Sequence, residues 1–323
     1  MSSSTATRKQ NEPQMKYALP LVSIVLATYN GEKFLEKQLE SIFLQTYSNI
    51  EIIAVDDGSS DNTVGILQEH AERHKDMKVF LNERNLGFIK TFDKGCGLAS
   101  GAFIAPCDQD DYWDPSKIEK LVNNIGSAPM IYCDSFVCDE NLNIKDKKIS
   151  DKVNSTCFTS CLQQCIYCRI YGHATLISKE LYKKATPFIL DIPHDWWLCY
   201  IATLMGGIKY LNEPLVYYRQ HASNAIGVVG EKRRKHQKQN KEKGGMQKIR
   251  NRVNAFYEIC PDHFVEEKRI LHELLICYQS FSLTNNIKRF VLFLKYFKYF
   301  LAPKKKSLIM QYLFCFKMLV KIK

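Results

Sequence analysis

The sequence predicts an α/β protein in which a mostly parallel sheet carries helices on its faces and a basic α-helical region follows. Three observations carry this. Short apolar, β-branched runs alternate with helical patterns from residue 21 to residue 106, which is the signature of βαβ units. Three of those runs end in polar clusters, at the carboxyl ends of strands where such sheets bind ligands. Charge also divides along the chain. Residues 1–230 hold 23 Lys+Arg against 27 Asp+Glu, and residues 231–323 hold 22 against 7. A mildly acidic catalytic part joined to a basic part that meets an anionic surface fits that split.

The elements follow in order. Residues 1–19 are rich in Ser, Thr and Gln and read as a disordered tail. LVSIVLAT at 21–28 is a strand buried on both faces. Phe34, Leu35, Gln38, Leu39, Ile42 and Phe43 recur at helical spacing over 32–44, and IEIIAV at 50–55 is the second strand. A helix starts near Asp61, whose carboxylate caps free amides. A strand at 78–81, a helix at 89–99 and a strand at 102–106 complete the regular part. Beyond residue 130 the pattern loosens, with strands expected at 130–136, 174–178, 208–211 and 215–218 and a helix at 196–205. The catalytic domain is placed at 20–228 and the basic helical region at 229–323.

With 46% hydrophobic and 24% charged residues, a packed globular core is expected. The first 14 residues contain no apolar run, and the 12 cysteines form no regular framework. Both favour a reducing, cytoplasmic setting with free thiols. No uncharged apolar stretch reaches 18 residues, which argues against a spanning helix. Cys157, Cys161, Cys165 and Cys168 are spaced 4, 4 and 3 apart. On a helix they share one face but extend over ~16 Å, too far to close one tetrahedral zinc site.

The sharpest chemical signal is Asp108-Gln109-Asp110-Asp111, three carboxylates within four residues of a strand end. Such crowding is costly without a cation. Oxygen ligands here suit Mg²⁺ or Mn²⁺, completed by phosphate oxygens. Asp56-Asp57-Gly58-Ser59-Ser60-Asp61 ends another strand. A carboxylate there suits the N3–H of uracil or thymine, Tyr29 offers a ring face to the base, and Gly58 permits a tight turn.

Ser23 to Asn30, then Val55 to Asp61, Asn85-Leu86-Gly87 and Asp108-Gln109-Asp110-Asp111 together resemble, in order and spacing, a family-2 glycosyltransferase with the Rossmann-like GT-A fold. The resemblance covers about residues 20–228. The Asp-Gln-Asp-Asp-Tyr-Trp form is similar to the rhamnosyltransferase-like branch of bacterial surface polysaccharide synthesis. It implies that Thr28, Tyr29, Asp56 and Asp57 bind the donor nucleoside, and that Asp108 and Asp110 form an Asp-x-Asp element with Asp110 on the metal and Asp111 sharing the task. Asp195, in Pro193-His194-Asp195-Trp196-Trp197, matches the catalytic-base position. Trp196 and Trp197 would form an acceptor platform, and His194 stands where the family commonly has an acid. Tyr218-Arg219-Gln220-His221, with Asn224 and Gly227, resembles the segment that closes over the diphosphate, Arg219 pairing with phosphate and His221 completing the metal shell. His173 falls on the acceptor side.

These implications describe an inverting transfer from a dTDP- or UDP-sugar (rhamnose, galactose or glucose) to a hydroxyl of a lipid-linked or cell-surface oligosaccharide, as for lipopolysaccharide or capsule. Beyond Leu274 the chain has ten Lys or Arg and no Asp or Glu. Residues 287–301 and 308–320 there read as basic, aromatic-rich helices for the inner leaflet of the plasma membrane, bound peripherally. No groove-reading motif accompanies the charge, so nucleic acid is not expected. Two other readings use similar residues. A nucleotidyltransferase should carry a basic phosphate loop near the first strand, and Thr28-Tyr29-Asn30-Gly31-Glu32 has none. A non-catalytic nucleotide-sugar-binding partner would not need all of the catalytic positions filled.

Overall fold

The structure is a computed structural model that describes residues 19–221 and 245–320. The expected tail, apart from Leu19, together with Asn224, Gly227 and the charged run at 232–243, lies outside the described residues. In chain order the first half comprises β1 (Val22–Thr28), α1 (Glu32–Phe43), β2 (Ile50–Asp56), α2 (Thr63–Arg73), β3 (Met77–Leu81), α3 (Phe88–Leu98), β4 (Phe103–Asp108), β5 (Tyr112–Trp113) and α4 (Lys117–Ile125). Then come β6 (Met130–Cys138), β7 (Ile144–Lys148), α5 (Ile149–Lys152), α6 (Leu162–Cys165), a 3₁₀ turn (Gly172–Ala174), β8 (Thr175–Ser178), α7 (Lys179–Ala185), α8 (His194–Leu204) and β9 (Ile208–Arg219). Four helices follow: α9 (Gly245–Ile259), α10 (Val265–Cys277), α11 (Leu283–Phe300) and α12 (Leu308–Val320).

One sheet runs β3-β2-β1-β4-β8-β6-β9-β5, with β7 paired to β6. The pairs β2–β3, β1–β2, β1–β4 and β6–β9 are parallel. The doubly apolar run of β1 is explained by cover on both faces: Ile24 and Leu26 pack with Leu35, Leu39 and Ile42 of α1, and Val25 with Val55, Phe92 and Cys96 under α3. Gly95 lets α3 lie close to β1, since a Cβ there would sit 2.4 Å from Val25 Cγ1. The chain therefore has the expected α/β architecture with a helical C-terminal region.

Two sequence expectations change. Residues 208–211 and 215–218 form one strand, β9, rather than two; its register slips opposite Asp134, which pairs with Pro214. Proline cannot donate to the ladder, so the strand continues through an irregularity. The four cysteines from 157 to 168 do not share a helix face, because only Leu162–Cys165 is helical there. Phe158 N and O are both bonded to Ile208, at 2.9 and 2.7 Å, and that bridge holds the segment extended.

The C-terminal helices dock on the catalytic half through α8. Tyr200 stacks on Phe256 of α9 at 3.9 Å, and its hydroxyl donates to Phe256 O at 2.9 Å. Ile270, Leu274, Phe293 and Phe300 extend the same core. α12 lies against α11, with Phe316 5.0 Å from Phe290 and Tyr312 5.0 Å from Phe297.

Candidate active site

Parallel register brings the polar clusters to one rim: Thr28 lies beside Asp56, and Ala27 beside Asp108. The Asp56 carboxylate accepts Thr28 Oγ1 at 2.9 Å, the amides of Gly58 and Ser59 at 3.0 and 2.8 Å, and Ser59 Oγ at 2.5 Å. Gly58 has φ 77°, a left-handed value that favours glycine. Asp57 reaches the next loop, accepting Asn82 Nδ2, Leu86 N and Gly87 N at 2.8–2.9 Å. Asp61 spans two helix starts, accepting Glu32 N of α1 and Thr63 N of α2. Gln109 then clamps Tyr29, its Oε1 accepting Tyr29 N at 2.8 Å and its Nε2 donating to Tyr29 O at 3.0 Å. The rim is thus preorganised by its own acidic and amide side chains.

Within the rim lies a cavity of about 380 Å³. Of the sequence-derived candidates, Thr28, Tyr29, Asp57, Asp108, Asp110, His173 and Asp195 line it. Asp56, Asp111, Arg219, His221, Trp196 and Trp197 do not. Asp56 is buried behind the rim and shapes its turn. Trp197 is a core residue whose indole N–H donates to Ala185 O, and Trp196 donates to Gln164 O with Arg252 over its ring. The aromatic walls are instead Tyr29, Phe88, Phe92, Tyr171 and Tyr218.

Two Asp–His pairs flank the end of β4. Asp110 Oδ2 is 2.8 Å from His221 Nε2. Asp111, fully buried, accepts Arg219 N at 3.1 Å, and its Oδ2 faces His173 Nδ1 at 3.2 Å without an aligned hydrogen bond. Asp108 Oδ2 lies 3.8 Å from the same nitrogen. One ligand atom each from Asp108, Asp111 and His173 fall within 4.8 Å of one another. Burial pushes the Asp111 carboxyl up, with Asp110 and Asp108 adding to the shift and His173 opposing it. Burial alone would lower His173, but the Asp111 and Asp108 carboxylates outweigh it and raise it. Crowded carboxylates sharing protons with an imidazole are a site short of positive charge. Arg219 sits alongside, its Nε donating to Asp110 O at 2.8 Å and its Nη1 to Glu140 O at 2.6 Å.

Asp195 enters from the first turn of α8 and accepts its own neighbour's amide, Trp196 N, at 2.7 Å. Desolvation in the cavity raises its pKa. Partly desolvated and with a raised proton affinity, it is suited to receive a proton from a hydroxyl.

Sequence reasoning missed several members. Lys117 is fully buried, its Nζ donating to His173 O at 2.7 Å and lying over the Trp113 ring; burial lowers its pKa to about 8. A signal existed, since Lys117 shares the i, i+4, i+8 stripe of Leu121 and Ile125 on α4. Ser135, whose Oγ is 3.2 Å from His173 Nε2, and the lining residue Tyr171 come from unrelated segments and left no local signal, while Tyr218, expected only as part of the diphosphate segment, lines the cavity.

Comparison with known proteins identifies the family. Residues 23–184 match the model of glycosyl transferase family 2. An uncharacterized glycosyltransferase of Haemophilus influenzae is 31% identical over 65% of this chain and 68% of its own. An Escherichia coli enzyme named UDP-Glc:alpha-D-GlcNAc-diphosphoundecaprenol beta-1,3-glucosyltransferase WfaP is 31% identical over 64% of this chain and 80% of its own. The crystal structure of S. aureus TarS 1–349 in complex with UDP-GlcNAc superposes with a TM-score of 0.58 at 17% identity, covering 94% of this chain and 81% of that one. With the matched family spanning half of the sequence and a GT-A architecture beneath it, the chain belongs to glycosyl transferase family 2 and is a glycosyltransferase.

Proposed function

We propose that this enzyme is a metal-dependent, inverting transferase that moves a hexosyl group from a UDP- or dTDP-sugar to a hydroxyl of a lipid-linked oligosaccharide. The observation that carries the reading is one cavity lined both by strand-end carboxylates and by Asp195. Thr28, Tyr29 and Asp57 receive the nucleoside, Asp56 holding their turn in shape. Asp108 and Asp110 face the cavity, backed by Asp111, His173 and His221. Their mixed carboxylate and imidazole donors, and a buried Asp111 oxygen without a hydrogen bond among the described residues, fit a divalent cation, Mn²⁺ ahead of Mg²⁺. Bound there, such a cation neutralises charge on the departing diphosphate.

Asp195 takes the proton of the acceptor hydroxyl as its oxygen bonds to the anomeric carbon and the bond to the diphosphate breaks. A single displacement inverts that carbon. Arg219, anchored by Asp110 O and Glu140 O, fixes the floor beneath the diphosphate. A UDP-sugar donor and a polyprenyl-diphosphate-linked acceptor are supported by the name of the E. coli relative.

The C-terminal helices support peripheral attachment to the cytoplasmic leaflet. Among the described residues no helix is long and apolar enough to cross a membrane. On α12, however, Ile309 and Leu313 are exposed, as is the outer side of Phe316, whose ring also touches Phe290 of α11, with Lys305, Lys306 and Lys317 nearby in sequence. Apolar side chains among lysines suit an anionic surface. The test is a donor panel: hydrolysis or transfer from UDP-glucose, UDP-galactose and dTDP-rhamnose with Mn²⁺. Turnover of one donor that stops on chelation supports the reading, and none with any donor contradicts it.

A further inference from the structure

His194 begins α8 beside Asp195 and lines the same cavity. It is 6% exposed, yet neither ring nitrogen has a hydrogen-bond partner among the described residues. The ring is held by aromatic contacts, stacked on Phe92 at 4.1 Å with the Phe88 edge at 5.8 Å. Buried imidazoles normally satisfy both nitrogens, so two unmade bonds in a cavity wall mark a place kept for a ligand. The neighbouring backbone agrees. A Cβ on Gly172 would lie 2.9 Å from His194 Nε2, so the missing side chain keeps the approach to that nitrogen clear. Gly172 has an ordinary φ and no conformational need for glycine. Desolvation lowers the His194 pKa, so the ring stays neutral near pH 7, one nitrogen donating and the other accepting.

We propose that His194 Nε2, reached across the bare Cα of Gly172, hydrogen-bonds a sugar hydroxyl next to the Asp195 carboxylate and thereby selects the sugar. This rests on the reading of the cavity as a glycosyl-transfer site. A sugar hydroxyl both donates and accepts, so it matches a neutral imidazole in either tautomer. The hydroxyl belongs either to the transferred sugar or to the acceptor. Sites built to bond a hydroxyl discriminate strongly against partners that lack it.

The experiment uses the full chain with Mn²⁺ and compares wild type with His194→Phe, His194→Gln, Gly172→Ala and the Gly172→Ala/His194→Phe double variant, each checked for a native melting transition. Calorimetry measures affinity for UDP, dTDP, UDP-glucose, UDP-galactose and dTDP-rhamnose. For a donor-sugar hydroxyl, nucleoside diphosphates bind within about twofold of wild type, while the best sugar nucleotide weakens about tenfold in His194→Phe and in Gly172→Ala. For an acceptor hydroxyl, donor affinity and donor hydrolysis hold. KM for a synthetic α-GlcNAc-diphosphate lipid then rises about tenfold. Either way His194→Gln recovers part of the loss, and the double variant is no worse than His194→Phe alone, because both changes remove one bond. Unchanged donor-sugar affinity together with unchanged acceptor KM in His194→Phe, or additive losses in the double variant, overturns the proposal. Absence of nucleotide binding by wild type would instead strike the underlying functional reading.

Discussion

The rim of the sheet and the outer face of α12 use charge in opposite ways. At the rim, acidic side chains are turned inward and bonded: Asp56 holds one turn, Asp57 another, and Asp61 two helix starts. On α12 the apolar residues point outward, Ile309 being 72% exposed, and the surrounding charge is all basic. The first arrangement fixes geometry for chemistry, while the second fixes none and suits a soft, extended partner. Mutations should therefore separate cleanly, with rim changes altering turnover and α12 changes altering where the enzyme resides.

The largest effect is expected for Asp195→Asn, with a fall in kcat of about 10³-fold measured on the donor identified by the panel. Stability should move the other way. Burial raises the Asp195 pKa in the folded state, so the ionised carboxylate opposes folding as pH rises through that value. The asparagine variant should match or exceed the wild-type Tm at pH 8, and the gap should close as pH drops below about 4. Next in size, Ile309→Glu with Leu313→Glu should cut cosedimentation with phosphatidylglycerol vesicles about tenfold while leaving donor hydrolysis in solution unchanged. Loss of both together would erase the distinction between the two regions. Lys117→Met should cost about 1–3 kcal/mol of stability by leaving His173 O unpaired, read by denaturant titration. Smallest is the pH profile. If Asp195 is the base proposed above, the acid limb of kcat should lie above the ordinary carboxylate range, since burial raises its pKa, and it should vanish in Asp195→Asn.

Most of the scaffold was readable because the chemistry was local. Apolar runs on β1 and β2 are continuous since both sheet faces are covered, and each strand ends within a residue or two of the expected place. Asp61 announced a helix start and serves two. The failures share one cause, namely partners distant in sequence. β9 runs unbroken through Pro214, where two strands were expected, because the register slip is taken up against Asp134 of the distant β6. Trp196 and Trp197 looked like a platform, yet their N–H groups go to the carbonyls of Gln164 and Ala185. His173 carried little signal in Gly172-His173-Ala174, and its place beside Asp111 depends on a 3₁₀ turn meeting the end of β4.

The central claim is that the carboxylates crowded at the end of β4 hold a cation against a nucleotide diphosphate. Calorimetric titration of UDP into wild type and into an Asp108→Asn/Asp110→Asn variant, with and without Mn²⁺, tests it directly. The account predicts tight binding by wild type only when Mn²⁺ is present, and at least a tenfold loss in the variant under the same conditions. Equal affinity with and without the ion, or full affinity in the variant, would contradict it.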